Sequence, residues 1–452
     1  MTTAVAGRPA RLLAGLPPLG GPLSLDAHLR VHGPRPRFDR RKSSGGALIR
    51  EVQAVGLRGR GGAGYPLAHK LAAVAGRRGR RLLVVNGAES EPASSKDAAL
   101  LTRTPHLVLD GALIAAEVVG AEQIVLWLHA DPSPEAGTLA GTVRRAVDQR
   151  GNEIDGIPVD VEFGQPGYLA GESSAVVSQL AGGPARPTRS PPHATERGVD
   201  GRPTVISNVE TLAQLALLAR HGPDWFRAVG TPTEPGTLLV TLAGAVAQPI
   251  VLEVPFGTPI GDAVLAAEPP ERPGAILVGG YAGGWLPWPY AAAVALSARG
   301  LAAAGTALGV GLLAVLPEGR CGLVETARLV GWLAGESAGQ CGPCTYGLPA
   351  LAGAFQALAT GVAEPSAVHR LHRWAGMVAG RGLCHHPDGV AALVRSALHT
   401  FEAEVRRHLA GWPCAGYRLP PLLPLPARLP ADLTARLITR LPDRMTTADR
   451  LG

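Results

Sequence analysis

Between residues 44 and 130 the apolar positions switch between two periods. They fall at helical spacing over 47–55 and again over 67–75, form a continuous strand-length run at 81–85, return to helical spacing over 106–119, and read as a strand over 123–129. Further strands are expected at 159–163 and 204–207, the second running into a helix over 208–220. Alternating helix and strand predict a layered α/β domain. Beyond residue 230 the elements shorten. Strands are predicted at 237–243, 250–254 and 275–278 with Gly/Pro turns between them, and Gly257-Thr258-Pro259 opens a short helix, giving a small β-rich module. The apolar stretch 300–316 is mostly Gly and Ala. It reads as a buried strand with its turn, too short and too weakly hydrophobic for a membrane span. After Pro317 helical patterns occupy 326–334, 343–359, 367–378 and 388–410, enough for a four-helix bundle. The Pro/Gly/Arg-rich residues 1–40 are expected to form an extended arm, and the Pro-rich stretch 419–429 to run over the surface. The expected divisions are 1–40, 41–230, 231–318, 319–415 and 416–452, and no internal repeat is visible.

Composition narrows the function. At 452 residues with 46% hydrophobic content, the chain can bury a large core in two to four domains. Its 43 Lys+Arg include only three Lys, at 42, 70 and 96, and Gly (59) and Pro (41) are abundant. This bias looks genomic, so single Arg or Gly residues carry little information. The net charge of +7 permits nucleic-acid binding, but no basic run is interleaved with aromatics, which are 4% of the chain, and nucleic acid is not an expected partner. The five cysteines (321, 341, 344, 384, 414) are odd in number and confined to the last third, unlike a secreted disulfide framework. No signal peptide is expected, which points to a cytoplasmic protein, peripheral to a membrane complex.

Three patches carry candidate chemistry. Gly59-x-Gly61-x-x-Gly64 matches the dinucleotide pattern, but it joins two predicted helices and no strand precedes it. As a loop before a helix it can still offer backbone N–H groups to a phosphate, with Arg58 and Arg60 adding positive charge. A linker in a Gly-rich chain would look the same. The acidic loop 86–97 follows a strand directly, where α/β sheets bind ligands, and Glu89 and Glu91 suit ribose or ring N–H groups better than phosphate. A solvated acidic loop is the plain alternative. Cys341-x-x-Cys344 at a helix start, with Cys384 before another helix, fits zinc, a redox dithiol or an iron–sulfur cluster. A four-ligand cluster would need one more donor from Cys321, Cys414, His385, His386 or a small exogenous ligand, although Cys321 could equally be an inert core thiol.

The patches line up in order with one family. The chain resembles the flavin-binding NADH dehydrogenase subunit of respiratory complex I (the F or 51 kDa subunit) and of related bidirectional hydrogenases and formate dehydrogenases, over roughly residues 45–410. Residues 56–70 are similar to G-L-R-G-R-G-G-A-G-F-P-T-G-L-K, and 86–97 to N-A-D-E-S-E-P-G-T-F-K-D. Residues 168–174 resemble Y-I-C-G-E-E-T, 203–212 resemble P-T-T-V-N-N-V-E-T-L, and 336–344 resemble E-S-C-G-x-C-x-P-C. The resemblance implies a Rossmann-like FMN-binding α/β domain, a ubiquitin-like β-grasp (SLBB) module and a helical bundle holding [4Fe–4S]. It implies that NADH delivers a hydride to FMN, which passes electrons singly to the cluster. By the same resemblance Gly59, Arg60, Gly61, Gly62, Gly64, Tyr65, Lys70, Asn86, Glu89, Glu91, Tyr168, Gly171, Glu172, Ser173, Ser207, Asn208 and Thr211 surround FMN or the nicotinamide nucleotide. Tyr65 holds the place of a stacking aromatic. Cys341, Cys344 and Cys384 ligate the cluster.

The chain also departs from the pattern. Ala88 replaces an Asp and removes an FMN contact. Ser207 replaces the first Asn of N-N-V-E-T. Ser173 replaces a Glu whose charge helps exclude a 2′-phosphate. Ser190 and His193 replace the Lys and Phe of K-P-P-F, and Ala338 replaces the first cluster Cys. Three functions follow. The first is an FMN- and Fe–S-dependent NAD(P)H oxidoreductase. The second is an electron-transfer module between ferredoxin and a flavoprotein partner that has lost NADH binding. The third is a ligand-binding remnant with zinc on the three cysteines. The expected partner is a ferredoxin-like or thioredoxin-like Fe–S electron acceptor protein; the basic balance would suit an acidic ferredoxin.

Overall fold

The computed structural model describes residues 2–4, 10–16, 20–38 and 44–426, apart from 131–132, 152–153, 155, 189–191 and 413. Two sheets organise it. The first is a four-stranded parallel sheet, Rossmann-like in build, in the order β4-β3-β2-β5, where β2 is Leu82–Asn86, β3 Gln123–His129, β4 Val159–Gly164 and β5 Thr204–Asn208. The Leu82–Val85 run is buried throughout, as a central parallel strand covered on both faces requires. Helix Pro105–Val119 is buried almost all round, packed against helix Val209–Arg227 in the largest apolar core. Its Asp110 is a buried hub that accepts from His28 Nε2 at 2.7 Å, pairs with Arg150 Nη1 at 2.7 Å and also binds Arg220.

The second sheet has six strands in the order β1-β7-β6-β10-β8-β9. Here β1 is Thr2–Ala4, β6 Thr237–Gly244, β7 Ile250–Pro255, β8 Pro273–Val278, β9 Gly284–Pro287 and β10 Leu312–Pro317. Strands β6 and β7 form an antiparallel hairpin, and β10 returns parallel to β6. Behind this sheet helices Gly322–Gly335, Leu348–Ala359, Ala367–Val378, His386–Thr400 and Glu402–Leu409 share one apolar core.

Several expectations are corrected. The predicted extended arm contains helix Leu25–His32, capped by Ser24, and β1 adds parallel to β7. The backbone N–H groups of Arg11, Leu12 and Leu13 converge on the Glu253 carboxylate at 2.9–3.0 Å, a contact no local pattern announces. Residues 298–303 form a helix and only 312–317 of the stretch read as strand is extended. The predicted helix 388–410 is two helices broken at Phe401 (φ −106°, ψ 31°). Helix Val209–Arg227 runs past residue 220, kinked at Gly222 ahead of Pro223. Helices Lys96–Arg103, Pro134–Gln149 and Ser173–Leu180 are additional. Of the tail 416–452, residues 427–452, with the last three of the Pro-rich stretch 419–429, lie outside the described residues.

Candidate functional site

The parallel ladder sets Asn86, the last residue of β2, beside Asn208, the last of β5. The loops that leave β2, β4 and β5 therefore meet at one carboxyl edge, where open α/β sheets take ligands. Asn208 caps helix Val209–Arg227 through its Oδ1, and its Nδ2 donates to Asp97 Oδ2 at 2.6 Å. Asn86 Nδ2 donates to the Gly171 carbonyl at 2.8 Å, drawing the 168–173 loop onto the acidic loop. Gly171 permits that approach, because a Cβ there would lie 2.6 Å from Ser90 Oγ and 2.7 Å from the Ala88 carbonyl.

The glycine loop faces the same edge. Its base is a bridge between Arg58 and Pro66, closed by Gly59 N–H donating to the Tyr65 carbonyl at 2.9 Å. It is tied to the first turn of helix Val209–Arg227 by Arg60 N–H donating to Thr211 Oγ1 at 2.9 Å. Gly61, Gly62 and Ala63 are exposed above Asn208, and a Cβ on Gly61 would press to 3.3 Å of the Asn208 Cβ, while Gly62 has φ +106°. The loop, which Gly64 completes (φ +60°), is a backbone cradle that side chains would fill. Tyr65 is 51% exposed beside it. Half-buried Lys70 donates to the Ile206 carbonyl at 3.0 Å, and no carboxylate among the described residues pairs with it; burial lowers its pKa. A cation that no carboxylate among the described residues neutralises, beside a glycine cradle and near the Tyr65 ring, can hold a phosphate.

Arg60 does not serve that purpose. Its guanidinium turns inward over the Phe256 ring and lies 3.8 Å from Glu210 Oε1, so only Arg58 keeps its charge at the loop. Glu210 also takes Lys96 Nζ at 3.1 Å, and Lys96 reaches Asp97 at 2.6 Å. This buried network of Arg60, Lys96, Asp97 and Glu210 braces the pocket from behind. Packing of the glycine loop and helix Lys96–Arg103 against helix Val209–Arg227 assembles it.

The carboxylates divide into two kinds. Glu89 is absorbed by its own loop, accepting from Ser94 Oγ at 2.5 Å and from the N–H groups of Asp97 (3.3 Å) and Ala98 (3.0 Å) at the start of helix Lys96–Arg103. Burial, then Asp97, pushes it up to about 7. Glu172 likewise caps helix Ser173–Leu180 through the N–H groups of Ser174 and Ala175, leaving Ser173 exposed at the first turn. Glu91 is different. It is 4% exposed; its Oε2 accepts from Tyr168 Oη at 3.3 Å and from Tyr281 N–H at 3.1 Å, and its Oε1 has no partner among the described residues. Burial pushes Glu91 up to about 8. An orphaned buried oxygen is a place for a ligand N–H. Ser207 is buried within β5, and Ser190 lies outside the described residues; His193 opens the short helix Ala194–Arg197.

Tyr168 joins this pocket to the cysteines. Its N–H donates to Glu336 Oε2 at 3.0 Å and its ring lies 5.6 Å from His386, while Gln340 Nε2 reaches the Pro187 carbonyl at 3.1 Å. Cys344 sits inside a π-type turn, Pro343–Gly347, and not at a plain helix start; Cys384 precedes helix His386–Thr400. Burial, then the neighbouring Cys341 and Cys384, pushes the Cys344 thiol up to about 12. Burial, then Glu172 and Cys341, raises Cys384. The three thiols are thus electrostatic neighbours. They are set wider than a single tetrahedral ion requires, since among the described residues only Cys321, His408 and Cys414 have three such ligand atoms all within 4.8 Å of one another. Three thiols gathered there are soft ligands of the kind that zinc or an iron–sulfur centre takes. Cys321 and Cys414 belong together and not to this triad. His385 pairs with Asp388, and buried His386 donates its Nε2 proton to the Leu333 carbonyl, leaving Nδ1 without a partner among the described residues.

Residues 52–217 match the family described as the Nuo51 FMN-binding domain, and residues 325–408 the NADH-ubiquinone oxidoreductase-F iron-sulfur binding region. The chain is 32% identical over 377 residues to the NADH-quinone oxidoreductase F subunit of Streptomyces coelicolor, covering 81% of this chain and 84% of that one. It is 31% identical over 386 residues to the corresponding F subunit of Mycobacterium bovis, covering 81% and 85%. Among solved structures it superposes, at a TM-score of 0.74 and 32% identity, on a chain of the NAD+-reducing [NiFe]-hydrogenase in the H2-reduced state, covering 81% of this chain and 63% of that chain. With the glycine cradle, the acidic loop and the cysteine loop converging on one edge, this protein belongs to the family of NADH-quinone oxidoreductase F subunits.

Proposed function

We propose that this chain is the FMN- and Fe–S-dependent NADH oxidoreductase subunit of a larger cytoplasmic assembly. When bound, FMN would accept a hydride from NADH and hand electrons one at a time to a [4Fe–4S] cluster. The observation that carries this reading is the contact chain Glu91–Tyr168–Glu336, in which one residue bonds the acidic loop through its hydroxyl and the segment before the cysteine loop through its backbone N–H. Gly61, Gly62 and Lys70 would hold the phosphate, Asn86 and Asn208 would line the floor, and Glu91 Oε1 would accept a ring or ribose N–H or O–H. Thr211 positions the cradle, and Glu89 and Glu172 rigidify the loops by capping the helices behind them. Tyr65 would cover the nucleotide. Cys341, Cys344 and Cys384 supply three soft ligands; the buried His386 Nδ1 is one donor that could complete the set.

The domain reading is an FMN domain over 41–230, an SLBB-like β-grasp module over 231–318 and an iron–sulfur bundle over 319–415. The β6–β7 hairpin, helix Ile260–Leu265 and the parallel return of β10 support the middle unit. An Fe–S acceptor of ferredoxin-like or thioredoxin-like fold is the proposed partner. Exposed Tyr346 and Met377, lining an apolar groove with Trp374 next to the cysteine loop, would suit its docking. Ser173, exposed and uncharged, predicts weak discrimination against NADPH.

The deciding experiment is anaerobic purification with visible and EPR spectra before and after NADH or NADPH. Flavin bleaching with a reduced-cluster signal is expected. Bleaching by reduced ferredoxin and by neither nucleotide would select the module that has lost its nucleotide site. A flavin-free, iron-free preparation from supplemented cells would reject both.

A further inference from the structure

A second set of soft ligands gathers where no patch of the sequence suggested one. Cys321 stands at the N-terminal end of helix Gly322–Gly335, His408 lies in the last turn of helix Glu402–Leu409, and Cys414 precedes the short turn Ala415–Arg418. Their three ligand atoms all lie within 4.8 Å of one another. Cys321 is 5% exposed and His408 1%.

The imidazole is held as a metal-binding imidazole is held. His408 Nδ1 lies 3.1 Å from the Leu358 carbonyl. A carbonyl only accepts, so Nδ1 carries the proton and the lone pair is on Nε2. Nε2 points at Cys321 Sγ, 3.7 Å away, with the Cys414 N–H at a marginal 3.4 Å. With metal–sulfur and metal–nitrogen bonds of about 2.3 and 2.0 Å, the sulfur–nitrogen edge of a tetrahedron is about 3.6 Å. Glu404, one turn before His408 on the same helix, brings its Oε2 to 4.0 Å of Cys321 Sγ, where Gly322 N–H orients it at 3.1 Å. Gly416 N–H donates to Cys414 Sγ at 3.4 Å. Glycine at 416 leaves the ligands room: a Cβ there would lie 3.1 Å from both Cys321 Cβ and Cys414 Sγ.

We propose that Cys321, His408 and Cys414, with Glu404 or a water molecule in the fourth position, form a structural zinc site distinct from the Cys341/Cys344/Cys384 centre. Two thiolates, one neutral imidazole and one oxygen are a tetrahedral donor set for Zn²⁺. Binding exchanges two thiol protons, released to solvent, for the ion. The Nδ1 bond to Leu358 is the outer-shell contact that fixes the ring. The ion would staple the segment after residue 410 to the start of the first bundle helix. That segment then crosses the helices, where Arg328 binds the carbonyls of Gly416, Tyr417, Leu419 and Pro420. Its Pro424 carbonyl accepts from Tyr281 Oη at 2.5 Å, and Tyr281 N–H holds Glu91 in the flavin pocket. The staple therefore braces the pocket wall from outside.

The test uses the full chain, purified under reducing conditions from zinc-supplemented cells. About one tightly held zinc per chain is expected, with an X-ray absorption spectrum at the zinc edge showing two sulfur neighbours and at least one nitrogen. The double variant Cys321→Ser/Cys414→Ser should lower bound zinc by roughly tenfold or more with iron and flavin contents retained, and Cys341→Ser should leave zinc unchanged. Absence of zinc from the unmodified protein, a three-sulfur shell that disappears with Cys341→Ser, or a Cys321–Cys414 disulfide surviving reduction would each overturn the assignment. The absorption spectrum needs no variant, so a misfolded variant leaves the test intact.

Discussion

Replacing Glu91 by Gln should stabilise the protein, increasingly so as pH rises from about 4.5 to about 8. Glu91 is almost fully buried, and burial, with a smaller push from Glu89, lifts it from an ordinary 4.5 to about 8 despite bonds from Tyr281 and Tyr168. A raised carboxyl binds its proton more tightly in the fold than in the unfolded chain. Its contribution is fully present below pH 4.5 and is lost as pH rises through about 8. The displacement from 4.5 to about 8, at 1.36 kcal/mol per pH unit, amounts to about 5 kcal/mol of stability lost between those limits. Glutamine keeps the shape and an oxygen for the Tyr168 and Tyr281 donors, and it does not titrate. Denaturant unfolding of wild type and Glu91→Gln, flavin-free, from pH 5 to pH 9 should give nearly equal stabilities at pH 5 and a variant more stable by several kcal/mol at pH 9. A difference that does not change with pH would mean that Glu91 is already ionised in the fold, and the argument from burial would fail.

Three other outcomes follow from the packing. His32 and His106 are held down to about 4, chiefly by burial, so both are neutral in the fold. Their stabilisation is complete above about pH 6.5 and falls away as pH drops to about 4, by about 3 kcal/mol for each histidine; a denaturation midpoint flat across this range would contradict it. Asp110 adds a loss at still lower pH: burial alone would raise it, but His28, Arg150 and Arg220 outweigh burial and hold it well below the carboxylate range. Gly171→Ala places a methyl 2.6 Å from Ser90 Oγ and 2.7 Å from the Ala88 carbonyl, so the 168–173 and 86–91 loops must separate. About 1–3 kcal/mol of stability and much of the retained flavin should be lost, read by denaturant midpoint and by the flavin-to-protein absorbance ratio, and full flavin content would refute the close-packed loop.

What the sequence determined by itself is what is written locally. Continuous apolar runs of strand length, broken by turn residues, located β2, β3, β4 and β5 to within a residue or two. The glycine loop, the acidic loop and the C-x-x-C pair were legible because their chemistry needs particular residue types at short spacing. The tertiary structure decided where those side chains point. Arg60, read as a phosphate-loop cation, turned inward because Glu210 and Phe256 offer a buried partner and an aromatic face that only the packed fold brings there. Glu89 and Glu172 became helix caps because free N–H groups two to nine residues along the chain compete for them. The arm acquired a helix and a strand because Asp110, bound by His28, and β7 supplied long-range partners. Cys321 and His408, 87 residues apart, met only through helix packing. Short-range pattern encodes element and chemistry, because backbone propensity and motif spacing act over a few residues. Side-chain direction is set by desolvation and pairing among residues distant in the chain, and those are defined only once the core has closed.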